Sequence, residues 1–113
     1  MMNDLSWKEF ERIELRVGTI LSAEIFKEAR TPAIKLSIDF GNNIGIRKSS
    51  AQITDHYLPE ELIGKQISAV VNFPKKQIGP MMSECLVTGF IQDDGSVILA
   101  VPDKVSKNGA RLA

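Results

Sequence analysis

The sequence predicts an all-β fold, a five-stranded Greek-key barrel with short helices and with N- and C-terminal extensions. Three observations carry this. Five β-patterned runs follow one another between turn signals. A short helix pattern falls between the third and fourth of them, the place a Greek-key barrel uses. There is no sustained β-α-β alternation, which argues against a parallel sheet.

The chain opens on a helix start. Ser6 and Glu9 have the spacing of a capping box, flanked by Leu5 and Phe10 in the staple positions. Trp7, Phe10 and Ile13 recur at spacing three and predict one apolar stripe in need of a partner surface. The first strand spans Arg16 to Ile25, rich in β-branched residues, with Gly18 as a bulge or close-approach point. From Ile34 to Phe40 apolar and polar residues alternate, as in an antiparallel strand with one solvated face. Gly41-Asn42-Asn43 tolerates positive φ and predicts a hairpin into Ile44–Lys48. Pro59 to Gly64 has proline in the first turn and glycine just past the end, the asymmetry of a short helix. Ile67, Ala69, Val71 and Phe73 mark a fourth strand, Pro74 to Pro80 a basic loop, and Ser83 to Phe90 a fifth strand. Asp93-Asp94-Gly95 turns into Val97–Val101, and Asn108-Gly109 makes a last turn. This order is that of the oligonucleotide/oligosaccharide-binding (OB) barrel. The expected layout is one domain over residues 1–113: a helical extension at 1–14, the barrel at 15–90 and a C-terminal extension at 91–113.

Composition narrows the function. With 113 residues the chain can bury one core, and 43% hydrophobic content is ordinary for a globular domain. Fourteen basic residues balance fourteen acidic ones, so attachment to nucleic acid by bulk charge is disfavoured and any such role needs a local patch. Cys85 is the lone cysteine, which excludes an internal disulfide and fits a reducing compartment. No apolar h-region accompanies Asp4 and Glu9, so no signal peptide is expected, and no apolar run could cross a bilayer as a helix. A cytoplasmic location and no membrane insertion are the expectation.

Catalysis lacks parts. His56 is the single histidine and has no near ligand companions for zinc. Cys85 sits in an apolar strand, where free cysteine is usually buried and inert. Neither phosphate-binding glycine signature occurs. Glu60-Glu61 are adjacent on a helix and so share no face; they suit its dipole. No catalytic residue, metal or cofactor is expected.

The segment Asn72–Glu84 is different. Two prolines and a glycine hold a basic stretch at the strand four–five connection, one of the loops flanking an OB ligand face. Lys75 and Lys76 suit phosphate or carboxylate, and Ser83 and Glu84 suit hydrogen bonding. Met81 and Met82 offer adaptable apolar surface. The plainer reading is a solvated loop with methionine as core filler, and composition supports both. Lys48 ends the third strand near the same face, and Arg30 lies in the strand one–two loop. Each taken alone is more often a solvated edge charge that guards against aggregation.

Glu14-Leu15-Arg16-Val17-Gly18-Thr19-Ile20, Ser49-Ser50-Ala51-Gln52-Ile53, and Asn72-Phe73-Pro74-Lys75-Lys76-Gln77-Ile78 with Ser83-Glu84 together resemble the tRNA-binding-domain family. That family includes appended domains of some methionyl-tRNA and phenylalanyl-tRNA synthetases. The chain more closely resembles its bacterial and archaeal protein-export chaperones, over nearly its whole length, including Ala33–Gly41 and Pro102-Asp103. The resemblance implies an OB barrel in a homodimer built through terminal segments. It also implies binding of exposed segments of unfolded preproteins, with a link to the Sec export motor. A tRNA-binding module, acting alone or with an aminoacyl-tRNA synthetase, is the alternative. The sequence departs from the tRNA-binding members: Gln77 and Met81-Met82 stand where a more basic stretch is common, and no row of exposed aromatics for base stacking is evident. The expected peptide- or RNA-binding residues are Arg30, Lys48, Asn72, Lys75, Lys76, Gln77, Met81, Met82, Ser83 and Glu84. Trp7, Phe10 and Ile13 are expected at the dimer contact.

Overall fold

A computed structural model describes residues 2–113, so the first position of the expected N-terminal extension lies outside it. The chain runs α1 (Trp7–Glu11), β1 (Leu15–Ile25), β2 (Ile34–Asp39), β3 (Ile46–Ala51), α2 (Pro59–Leu62), β4 (Gln66–Val70), β5 (Lys76–Ile78), β6 (Met81–Ser83), β7 (Leu86–Val87), β8 (Gly89–Ile91) and β9 (Val97–Leu99). Five strands form an antiparallel sheet in the order β3-β2-β1-β4-β7. The residues preceding β7 then return to β3 and nearly close the barrel: Ser49 Oγ donates to the Cys85 carbonyl at 3.0 Å, and Glu84 N donates to the Lys48 carbonyl at 2.8 Å. The all-β OB-type barrel is as the sequence predicts.

Alternation along the strands builds the core. Ile34, Leu36 and Ile38 of β2 point inward with Ile20, Ile67, Ala69, Phe40, Leu62 and Leu99. Gly18 is a close-approach point: a Cβ there would lie 2.6 Å from Ile38 Cγ2 and 2.8 Å from the Phe40 ring. The bulge sits further along, where the register jumps between Ile20 and Ser22 and leaves Leu21 unpaired. Ile20 faces the core, so simple alternation would send Ser22 inward too. The extra residue reverses the phase, placing Ala23 on the core side and Ser22 and Glu24 outside.

Three expected elements are corrected. The region 74–80 is not all loop: β5 and β6 form a hairpin, because Gly79 at φ 55° followed by Pro80 makes a two-residue turn between Ile78 and Met81. The single fifth strand over 83–90 is divided. Met81–Ser83 belongs to the hairpin, Leu86–Val87 pairs with β4, and Gly89–Ile91 pairs with β9. Helix α1 has the expected capping box, with Glu9 N donating to Ser6 Oγ and Ser6 N to Glu9 Oε1, both at 3.1 Å. It ends at Glu11, however, so Ile13 lies past it and the three-residue stripe is not a helix face.

The terminal segments are tied to the barrel. Asn72 Oδ1 accepts from Glu14 N at 3.1 Å, and its Nδ2 donates to the Arg12 carbonyl at 2.7 Å. At the other end, Gly109 N donates to the Val17 carbonyl, Val17 N to that of Ala110, and Leu112 N to that of Leu15. The tail thereby supplies backbone partners to the half of β1 that β2 does not reach.

Candidate ligand groove

A groove of about 800 Å³ crosses the outer face of β1, β2 and β3 under the β5–β6 hairpin. Its floor is set by register. Ser22, Ser37 and Lys48 form one row across three strands, and Glu24, Lys35 and Ser50 form the next. Pro80, Met81, Met82 and Glu84 wall it, and Ala23 and Leu36 underlie it.

The charges are mostly matched. Lys35 Nζ lies 3.1 Å from Glu24 Oε1, and Lys75 Nζ lies 3.5 Å from Glu84 Oε2. The other Glu84 oxygen, Oε1, accepts the Lys48 backbone N–H at 3.0 Å. That backbone bond, followed by the nearby positive charge of Lys75, holds the Glu84 carboxyl below its ordinary value despite some burial. The Lys48 ammonium has no carboxylate within ion-pair distance among the described residues.

Of the ten expected ligand residues, the structure gathers Lys48, Met81, Met82 and Glu84 on this groove and brings Lys75 to its rim through Glu84. The two methionines differ. Met82 is 44% exposed, while Met81 is 8% exposed and packs with Phe26 and Ala33 in a small second core. Ser83 is buried and accepts from Ser50 N at 3.3 Å, which fastens β6 to β3. Lys76 and Gln77 are exposed on β5, Gln77 donating to the Gly79 carbonyl, and neither lines the groove. Asn72 is engaged with the N-terminal segment, and Arg30 is exposed in the β1–β2 connection and is not among the lining residues.

Ser22, Glu24, Lys35 and Ser37 line the groove without having been singled out in the sequence. For β2 the signal was present, since the solvated positions of an alternating strand are legible. For β1 it was the adjacent pair Ile20-Leu21, which interrupts alternation.

A second hollow, about 290 Å³, is lined by Leu5, Ser6, Trp7, Phe10 and Ala113. Trp7 is 76% exposed and meets Phe10 edge-to-face at 6.0 Å between ring centroids. Ile13 is outside this lining. Cys85 is buried, which pushes its thiol up to about 11, while His56 Nε2 lies 2.7 Å from Ser96 Oγ. Among the described residues, no three His, Cys, Asp or Glu side chains are placed to hold a metal. No helix among them is long and apolar enough to cross a membrane.

Residues 15–111 match the family model described as "Putative tRNA binding domain". The chain is similar to a crystal structure of chaperone CsaA from Bacillus anthracis, with 48% identity and a TM-score of 0.92, covering 98% of this chain and 100% of that one. It is similar to a CsaA chaperone protein from Picrophilus torridus, with 49% identity and a TM-score of 0.90 over 97% and 100% of the two chains. The methionine–tRNA ligase of Porphyromonas gingivalis is 32% identical over 88% of this chain, which spans 14% of the length of that relative. The chain belongs to the tRNA-binding-domain family and is CsaA-like within it.

Proposed function

We propose that the groove holds exposed, extended segments of unfolded preproteins, and that the protein acts as a homodimeric, ATP-independent, chaperone-like binder in support of protein export. It works in the cytoplasm, handing clients toward the Sec export motor, without catalysis or cofactor. One observation carries this reading: a single groove combines the exposed Met82 and Pro80 with Lys48, Glu84 and a serine-lined floor. Apolar side chains of a client gain by leaving water against methionine, and the polar floor tolerates its backbone. The high similarity to two CsaA chaperones supports the same reading. For the dimer, the support is the exposed Leu5 and Trp7 beside Phe10, an apolar surface on the N-terminal segment.

The alternative is a tRNA-binding module, alone or beside a synthetase. It is favoured by the family match and by relatives that are methionine–tRNA ligases. Lys75 and Lys76 would then contact phosphates. Competition separates the two: a labelled unfolded preprotein segment and a tRNA each serve as the displaced ligand. The chaperone reading expects tight peptide binding with little displacement by tRNA. Tight, steeply salt-dependent tRNA binding with negligible peptide binding would overturn it.

A further inference from the structure

The carboxylates of the groove are already partnered, Glu24 by Lys35 and Glu84 by Lys75 and the Lys48 N–H. The Lys48 ammonium is different. Lys48 stands in the same row as Ser22 and Ser37 by strand register, and all three line the groove; the two serine hydroxyls make no hydrogen bond among the described residues. The row thus offers one unpaired positive charge and two hydroxyl donors on one face of the sheet. A carboxylate supplies the opposite charge and accepts from all three. Met82 and Pro80 form the wall above.

Taking the groove as the peptide site, we infer that Lys48, Ser22 and Ser37 form a carboxylate subsite that selects client segments carrying an acidic side chain among apolar ones. The carboxylate comes from an internal Asp or Glu rather than a chain terminus, because the groove runs open across three strands and does not demand an end. A polyanion suits the groove less well. With Lys35 and Lys75 paired to Glu24 and Glu84, the row has Lys48 as its one unpaired cation among the described residues, enough for one carboxylate and too little for a run of phosphates.

The test uses three fluorescein-labelled decapeptides of Leu, Ala and Ser, acetylated and amidated, differing only in a central Glu, Gln or Lys. Affinities are read by anisotropy with the full chain and with Lys48→Met, which keeps the apolar stem, and Lys48→Arg, which keeps the charge. The expected result is that the Glu peptide binds about fivefold tighter than the Gln peptide. The Lys peptide should bind weakest, the preference should vanish in Lys48→Met, and it should return in Lys48→Arg. Equal binding of all three peptides to the parent chain would overturn the subsite and leave the peptide groove standing. A uniform loss for all three in Lys48→Met would also overturn it, as would a Lys48→Met effect confined to salt-dependent tRNA binding. No measurable binding of any peptide would remove the groove reading itself, and the subsite with it.

Discussion

Glu84 and Lys48 exchange two hydrogen bonds, one of them through a side chain: Glu84 N donates to the Lys48 carbonyl at 2.8 Å, and Lys48 N donates to Glu84 Oε1 at 3.0 Å. A carboxylate here completes the pairing that a backbone carbonyl would make in a regular ladder. It closes the barrel at the point where the hairpin gives way to β7. Glu84→Ala removes a charged acceptor and leaves the Lys48 N–H at the β3 edge without its partner. A loss of roughly 1–2 kcal/mol is expected, read as a shift in urea midpoint at unchanged slope. A midpoint equal to the parent's would show that water replaces the carboxylate without cost.

The same bond gives a pH signature. The folded Glu84 value lies below its ordinary 4.5, chiefly through the Lys48 N–H. Its contribution is therefore complete above the unfolded value and declines as pH falls through the folded one. Urea midpoints of the parent and Glu84→Gln should differ in their pH dependence below about 4.5, with the parent losing more on acidification. Parallel curves would contradict the assignment.

Asn72 was expected at the ligand and is bonded instead to Glu14 N and the Arg12 carbonyl. Asn72→Ala should lower stability by about 1 kcal/mol and loosen the N-terminal segment, raising amide exchange at Ile13 and Glu14. Client affinity per folded molecule should not change. A selective affinity loss at full stability would return Asn72 to the ligand site.

The two methionines should separate by readout. Met81→Ala opens a cavity against Phe26 and Ala33 and should cost about 2–5 kcal/mol. Met82→Ser, at an exposed position, should leave the thermal midpoint within a few degrees and weaken client binding several-fold in a titration. Equal destabilisation by both, with client binding intact, would make Met82 a packing residue.

Much of the barrel was legible because local chemistry and global fold agree. The alternation of Ile34–Phe40, the turn at Gly41–Gly45 and the Pro59–Gly64 helix each carry their own signal. The division of the fifth strand was not legible, since it depends on Glu84 and Cys85 leaving the hairpin to meet β3, a contact between residues 36 positions apart. The groove was half legible. Hydropathy locates methionines and lysines along the chain, but only register aligns Ser22, Ser37 and Lys48, and that register depends on a bulge at Leu21. Ser83 and Met81 look like surface chemistry in sequence because their burial arises from a hairpin folding over the sheet.

The most direct measurement is amide chemical-shift mapping of the isotope-labelled protein during titration with an unlabelled, unfolded preprotein segment. The largest shifts are expected at Ser22, Ser37, Lys48, Met82 and Glu84, tracing one path across β1, β2 and β3 beneath the hairpin. Shifts concentrated instead on the exposed β8–β9 residues Phe90, Ile91 and Ile98, with the groove silent, would contradict the account.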